Sequence, residues 1–299
     1  MSNDESTESE TADKWLRGQL SHSDPEVTEL YHYTNQRGFL GILADQGIWA
    51  THVGHLNDKS EVEHAVTMLQ SHVRSLRSRT PPRASRLLDW ILTTLEGMSA
   101  QRTGLFVVSF SANPDSLTQW DRYAQDFGYA MGFDPKRLNL VHRISPTDTC
   151  HGRLIRVFYA EDAKQSLISA TIDKLLNRAD ELSVSGFAID PDWDIWNREL
   201  LQCLALLFTA LKHEAYTSED EYRLVVTHDP TQPTSAREGK HGVATYVTLS
   251  PDQENDLPLV SVVVGPSHYP EVARFAVQQI LVRRLGVGQI RNSNIPKRT

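Results

Sequence analysis

The chain has little cysteine, with only Cys150 and Cys203 among its 299 residues. Two cysteines cannot build a disulfide framework or a multi-cysteine zinc site, and Cys203 lies in an apolar run typical of a buried core thiol. The longest apolar run, residues 200–213, is too short and too closely flanked by charge to cross a membrane. The first twenty residues lack the apolar stretch of a signal peptide. We therefore expect a protein of a reducing compartment, the bacterial cytoplasm, with no membrane partner.

Positive charge is also scarce, because 30 Lys and Arg stand against 38 Asp and Glu, for a net charge of −8. A chain of this balance is a poor general binder of nucleic acid, but the balance does not exclude a local basic groove. The sequence contains no HExxH, GxSxG, GxGxxG or P-loop motif. These absences argue against a zinc protease, an α/β-hydrolase elbow, a Rossmann dinucleotide site and a P-loop, and we predict no metal site.

The order of predicted elements indicates an α+β fold. Residues 1–24 are rich in Ser, Thr, Glu and Asp, which predicts a disordered acidic tail. Residues 25–299 are predicted to form a single domain with helical insertions near 60–100 and 161–213. Strands and helices follow one another in mixed order, which favours a mostly antiparallel sheet over a doubly wound one. The predicted strands are Leu30–Thr34, Ile48–His52, Gly104–Phe110, Gly128–Asp134, Arg153–Tyr159, Tyr222–Thr227, Val243–Leu249 and Leu259–Gly265, with a last strand near Gln289–Ser293.

The first strand carries a histidine where a strand that only filled a core would carry Val or Ile. His32 shares one face with Leu30 and Thr34, because side chains alternate along a strand. His32 could face the sugar of a ligand. It could equally bond a backbone carbonyl and lock the first strand to its neighbour.

Two carboxylates stand two residues apart in the segment EDEYR, at Glu219 and Glu221. On one strand face they would repel each other and raise the pKa of at least one, which suits acid–base work or stabilisation of a cation. The alternative is a solvated strand entrance in which Arg223 pairs with Glu221.

Two further pairs sit in the middle of the chain. Ser109 and Ser111 would share a strand face and could bond a ribose or phosphate, or could simply cap the following turn. Trp120 and Tyr123 are three apart on a short helix and could stack on a flat ring, or could be core aromatics.

The order of these short motifs resembles a bacterial family of unknown function, DUF2971. The motifs are YHYT at 31–34, LND at 56–58, SFS at 109–111, WDRY at 120–123, the strand GYAMGFD, EDEYR at 219–223 and VVVGP at 262–266. Together they cover residues 30–295. Lys59 departs from the family's usual Pro after Asn57-Asp58, which affects only how the next helix begins.

The family is in turn similar to the ADP-ribosyltransferase fold, which implies a split sheet and NAD as co-substrate. By that resemblance His32 would bind the ribose next to nicotinamide, with Ser109 and Ser111 lining the ribose pocket. Glu221 would stabilise the cation formed as the nicotinamide bond breaks, and Glu219 would orient or deprotonate the acceptor. The resemblance also assigns ligand contacts to five flanking residues: Tyr33, Trp120 or Tyr123 stacking on the nicotinamide, with Thr34 and Arg223 completing the site.

The resemblance implies an NAD-dependent transferase that modifies a protein or nucleic acid, or an NAD glycohydrolase, acting as a bacterial toxin or defence effector. The alternative is a non-catalytic module of the same fold that binds a nucleotide or peptide. A nuclease or other hydrolase using acidic residues is a third possibility, but it lacks a metal cluster.

Overall fold

The structure, a computed structural model, describes most of the chain. The described ranges are 10–21, 25–55, 60–97, 104–124, 127–145, 148–186, 189–229, 231–239, 242–252, 256–283 and 289–296. The segment at 56–58, part of the family motifs, lies outside them. The chain forms two compact units, one from residues 1–21, 60–100 and 158–212, the other from 22–59, 101–157 and 213–299. The helical insertions predicted near 60–100 and 161–213 thus fall together in the first unit.

Long helices make up the described part of the first unit. They are α1 (Ala12–Leu20), α3 (Ser60–Arg77), α4 (Pro82–Gly97), α6 (Glu161–Glu181) and α7 (Trp193–Ala210). The near-continuous apolar sequence of α7 predicts a buried helix, and eleven of its residues are buried. None of the described helices is long and apolar enough to cross a membrane.

Helix α1 corrects the predicted disorder of residues 1–24 for its own nine residues. Its apolar Ala12, Leu16 and Leu20 are spaced four apart and are fully buried. The Ala12 N–H at its start donates to the carboxylate of Glu199 at 2.9 Å, and Arg178 donates to the same carboxylate at 3.1 Å. The acidic composition therefore predicted disorder where the chain forms a short amphipathic helix, which contacts with other helices stabilise. Residues 1–9 and 22–24 of the predicted tail lie outside the described ranges.

The second unit contains a large, open and mostly antiparallel sheet, as the mixed element order predicted. Its strands are β1 (Leu30–Asn35), β2 (Ile48–His52), β3 (Leu105–Ser111), β4 (Gly128–Phe133), β5 (Leu140–Ser145), β6 (Asp148–His151), β7 (Arg153–Arg156), β8 (Glu221–Thr227), β9 (Ser235–Gly239), β10 (Gly242–Pro251), β11 (Leu259–Val264) and β12 (Ile290–Asn292). Helices α2 (Gln36–Asp45), α5 (Leu117–Gln119) and α8 (Pro270–Leu281) belong to the same unit. Among the strands that the structure describes, β11 and β12 are the pair that runs parallel.

The sheet divides at β3. One edge of β3 pairs with β8 along its whole length. On the other edge, β2 pairs with Phe106 and Val107, and β1 pairs with Ser111. This register leaves residues 108–110 of β3 without a neighbouring strand on that edge, in the described part of the sheet. We call this parting of β1 and β2 the fork. From it, β1 continues to β4, β11 and β12, and β2 continues to β10, which β9 and β5 join.

Two apolar clusters pack on the strands that meet at the fork. The larger contains Phe110, Met131, Tyr222 and Leu224, together with Phe39 of α2. The smaller lies around Tyr31, Tyr33 and Trp120. Since neighbouring side chains of β1 leave opposite faces, the tyrosines pack in one cluster while Leu30 packs in the other.

Candidate functional site

His32 lies at the fork. Its Nδ1 is 2.9 Å from the carbonyl oxygen of Ser109, on the stretch of β3 that no strand covers on that edge. The ring also meets Phe110 edge-on, with centroids 5.9 Å apart. The second of the two alternatives for His32, a bond to a backbone carbonyl, is therefore confirmed as a contact.

The bond to Ser109 fixes how the His32 ring is protonated. Burial lowers the pKa of His32 below its ordinary value, the Ser109 carbonyl opposes this shift, and the charge of Arg237 adds to it. His32 is therefore neutral at physiological pH. Because a carbonyl can only accept, the proton resides on Nδ1, and Nε2 presents a lone pair.

Ser111, Glu219 and Arg122 form a second group, which we call the Glu219 cluster. The Ser111 hydroxyl donates to the backbone carbonyl of Glu219 at 2.7 Å. Arg122, a half-exposed side chain from the WDRY motif, donates to the buried Glu219 carboxylate and lies 5.0 Å from the Tyr216 ring. Burial alone would lower the pKa of Arg122, but Glu219 and the nearby Tyr123 and Tyr216 raise it overall. Segments about 100 residues apart thus meet at one buried carboxylate.

Glu221 and Arg223 form a separate buried pair. Arg223 Nε donates to one Glu221 oxygen at 2.7 Å, and a terminal nitrogen donates to the other at 3.0 Å. Both side chains are almost fully buried, at 4% and 3% exposed. The predicted pairing of Arg223 with Glu221 is confirmed, although it is buried rather than solvated.

The prediction that Glu219 and Glu221 share one strand face is wrong. Glu219 ends a short 3₁₀ helix, Glu214–Glu219, and β8 begins only at Glu221. Asp220 between them has a φ of 41°, in the left-handed region, so the two-residue strand spacing does not apply. Each carboxylate has its own arginine instead of repelling the other.

Tyr33 and Trp120 act as core aromatics. Their rings meet at 70° with centroids 4.6 Å apart, and the two side chains are 6% and 3% exposed. The Tyr33 hydroxyl donates to the Asn113 carbonyl at 2.7 Å and accepts from the Ser116 N–H at 3.0 Å. Trp120 Nε1 donates to Asp115 at 2.7 Å. Their burial favours the alternative of core aromatics over stacking on a nicotinamide.

Tyr123 and Thr34 lie at the margins. Tyr123 is partly buried against the cluster around Trp120. Thr34 pairs with Tyr129 near the end of β1, where Asn35 caps α2 by accepting from the Gly38 N–H at 2.9 Å.

The predicted residues therefore do not form one group. Tyr31, not His32, pairs with Ser111, and Ser111 pairs with Glu221, so the register directs the His32 side chain away from the face of those two. No hydrogen bond among the described residues joins His32 to either glutamate. Arg122 was not among the predicted site residues, although an arginine between two aromatics in WDRY was a signal that could have identified it.

A pocket of about 260 Å³ lies along β10, where β9 and β5 leave part of its edge open. The His142 side chain lines it and contacts His228, with Nε2 and Nδ1 3.1 Å apart. His142 Nδ1 lies 3.3 Å from the Thr248 carbonyl, so this ring also bonds a carbonyl at an opening in the sheet. Within the described ranges, no group of three or more His, Cys, Asp or Glu residues could hold a metal ion.

Comparison with known proteins gives one family. A family model described as "Protein of unknown function (DUF2971)" matches residues 119–224, which include the WDRY, GYAMGFD and EDEYR motifs. The family predicted from the motif order is therefore supported over these residues. No curated protein and no solved structure matches the chain.

Proposed function

We propose that this chain, whose residues 119–224 belong to the DUF2971 family, binds a nucleotide at the fork through His32. The observation that carries the proposal is the neutral His32 ring, held through Nδ1 by Ser109 where no strand covers the edge of β3. Its Nε2 can accept a hydrogen bond from a hydroxyl such as that of a ribose. NAD is the nucleotide to test first, because the motif order resembles that of ADP-ribosyltransferases.

The geometry favours binding over catalysis by Glu221. A carboxylate that stabilises a ribosyl cation must be free to face it. Both oxygens of Glu221 already accept hydrogen bonds from Arg223, and its charge is balanced there. Freeing this carboxylate would leave Arg223 buried and unpaired, which costs about 3–5 kcal/mol.

A second candidate function is NAD cleavage, with or without transfer of ADP-ribose to a protein or nucleic acid. The Glu219 cluster favours it, because the Ser-x-Ser and Glu-x-Glu segments of the resemblance meet there through Ser111 and Glu219. Under this candidate Glu219, not Glu221, stabilises the cation, and the half-exposed Arg122 holds that carboxylate in place. A role as a toxin or defence effector depends on this candidate.

Calorimetric titration with NAD tests the binding proposal. His32→Asn keeps an amide N–H that can reach the Ser109 carbonyl but removes Nε2. We expect it to weaken NAD binding about 3- to 10-fold, the scale of one neutral hydrogen bond. The matched control is His151→Asn, at an exposed residue of β6, which should leave affinity unchanged. Failure of the wild type to bind NAD, ATP or any other nucleotide at millimolar concentration refutes the proposal.

Release of nicotinamide from the same samples tests the second candidate. Wild-type turnover that Glu219→Gln reduces at least about 100-fold establishes cleavage at the Glu219 cluster. Nucleotide binding without turnover, in the presence of protein and nucleic acid acceptors, leaves the binding function alone.

A further inference from the structure

Arg237 of β9 lies beside the fork with an unusual set of contacts. One terminal nitrogen donates to the Thr51 hydroxyl at 2.9 Å, and the other donates to the Glu238 backbone carbonyl at 3.3 Å. Its Nε is buried and has no hydrogen-bond partner. Because buried donors in folded proteins are almost always paired, an unpaired guanidinium Nε calls for an explanation.

The charge of Arg237 is uncompensated as well. Among the residues that the structure describes, no carboxylate lies within ion-pair distance of it. The charged side chain that acts on it most is another cation, Arg37. Burial lowers the pKa of Arg237, Tyr246 opposes the shift, and Arg37 adds to it. Arginine nevertheless keeps its charge in proteins, so a partly buried positive charge remains without a counter-ion.

The contacts place Arg237 and His32 beside the same stretch of β3, although the register puts the Thr51 hydroxyl that Arg237 bonds on the sheet face opposite to the His32 side chain. Thr51, which Arg237 bonds, pairs with Val107, next to the uncovered stretch of β3. His32 bonds Ser109, two residues further along β3. Two residues of a strand span about 7 Å. The Arg237 charge also acts on His32 directly.

We propose that Arg237 binds the phosphate or pyrophosphate group of the ligand at the fork through its guanidinium, whose Nε has no protein partner. The planar guanidinium matches two phosphate oxygens at once, and such charge-assisted pairs are the strong hydrogen bonds of proteins. Arg37 adds positive charge nearby, although its own ion pair, 3.0 Å from Glu238, is exposed. The proposal rests on the proposed function and specifies which end of the nucleotide lies toward β9.

An aromatic pair next to Arg237 is consistent with a nucleotide rather than a free anion. Tyr246 pairs with Thr51 across the sheet, and its ring lies 4.9 Å from that of Trp49. Both side chains are partly exposed. A base could stack on such a pair while Arg237 holds the phosphates, since stacking accepts any base.

Titration with inorganic pyrophosphate at fixed ionic strength tests Arg237 without a base or ribose. We expect wild type to bind it and Arg237→Gln to bind about 10- to 100-fold more weakly, the scale of a hydrogen bond to a charged group. Arg237→Lys keeps the positive charge but lacks the planar guanidinium, so its affinity for pyrophosphate should fall between those of the other two proteins. The control Arg74→Gln removes an exposed arginine from the helical unit and should bind as wild type does.

Thermal unfolding separates a ligand-binding arginine from a structural one. Arg237→Gln should melt within a few degrees of wild type without ligand, because it breaks no ion pair among the described residues. Pyrophosphate should raise the melting temperature of wild type and not that of Arg237→Gln. If Arg237→Gln fails to fold, the affinity of Arg237→Lys decides, and wild-type affinity in that variant overturns the proposal.

The outcomes distinguish this inference from the nucleotide proposal. Pyrophosphate binding that depends on Arg237, with no affinity for any nucleotide, supports the anion site and refutes the nucleotide proposal. NAD binding of equal affinity in wild type and Arg237→Gln supports nucleotide binding and overturns the assignment of Arg237.

Discussion

Removing the carboxylate of Glu221 should lower the free energy of unfolding by more than a role in ligand binding alone would explain. Arg223 donates two hydrogen bonds to it, and both side chains are nearly inaccessible to water. Breaking one partner of a buried ion pair typically costs about 3–5 kcal/mol, because the other charge stays buried. In Glu221→Gln the amide oxygen still accepts one bond, so we expect a loss near 3 kcal/mol. Domains of ordinary stability have about 5–15 kcal/mol in total.

Replacing both partners of this pair tests it directly. We expect Glu221→Leu combined with Arg223→Met to recover most of the stability lost by Glu221→Gln, since well-packed apolar residues often replace a buried pair without loss. The free energy of unfolding is measured by urea denaturation at pH 7, with the slope checked for each variant because the chain has two compact units. Glu96→Gln breaks an exposed pair with Arg74, 3.6 Å apart, and should cost about 1 kcal/mol or less.

Two results would refute this reasoning. A loss below about 1 kcal/mol in Glu221→Gln would mean that water reaches the pair and screens it. A double variant as unstable as the single one would mean that the site needs the charges themselves. Activity of Glu221→Gln is interpretable only at a temperature where the variant is folded.

Two further predictions concern His32 and Gly265. The fold lowers the pKa of His32 below 6.5, so as the pH falls the unfolded chain binds a proton at this histidine before the folded protein does. The free energy of unfolding should therefore decrease below pH 6.5, by up to about 1.4 kcal/mol per pH unit. Urea midpoints between pH 5 and pH 7 should show a shallower slope in His32→Asn than in His151→Asn, and equal slopes would contradict the assignment. In Gly265→Ala the new Cβ would lie 2.9 Å from the Gly128 carbonyl and 3.0 Å from the Trp120 ring, so we expect a loss of about 1–3 kcal/mol in thermal or urea unfolding. A change within about 0.5 kcal/mol would show that the backbone shifts freely there.

The sequence was sufficient to predict strands in which apolar and polar residues alternate or β-branched residues are frequent. Ile48–His52 has the predicted limits, and the predicted strand Gly104–Phe110 is shifted by one residue. Strands β5, β6 and β9 were not predicted. Strands β6 and β9 are short, polar and exposed, so their own residues do not mark them as strands. They are strands because they pair with longer ones. Helix α1 was missed because its apolar residues are few and its stability comes from contacts with distant helices.

The candidate site was less predictable, because it depends on the directions in which side chains leave the backbone, and composition does not encode these. The two-residue rule for Glu219 and Glu221 failed at one backbone conformation, the left-handed Asp220. The fork sends His32 and Ser111 in different directions, and only strand register reveals this. A single arginine in a polar stretch, such as Arg237, carries no signal in the sequence, and only its unpaired Nε in the fold draws attention to it.

The interleaving of the two units has a consequence for how the chain emerges from the ribosome. Helix α1 is made first, yet Glu199, which holds its first turn, follows almost 190 residues later. At about 5–20 residues per second, that partner appears roughly 10–40 seconds after α1. The sheet is completed later still, because its strand β12 is synthesised after Glu199. Neither unit can therefore finish folding before the other has begun, and a stop codon ahead of Glu199 should leave both units incomplete.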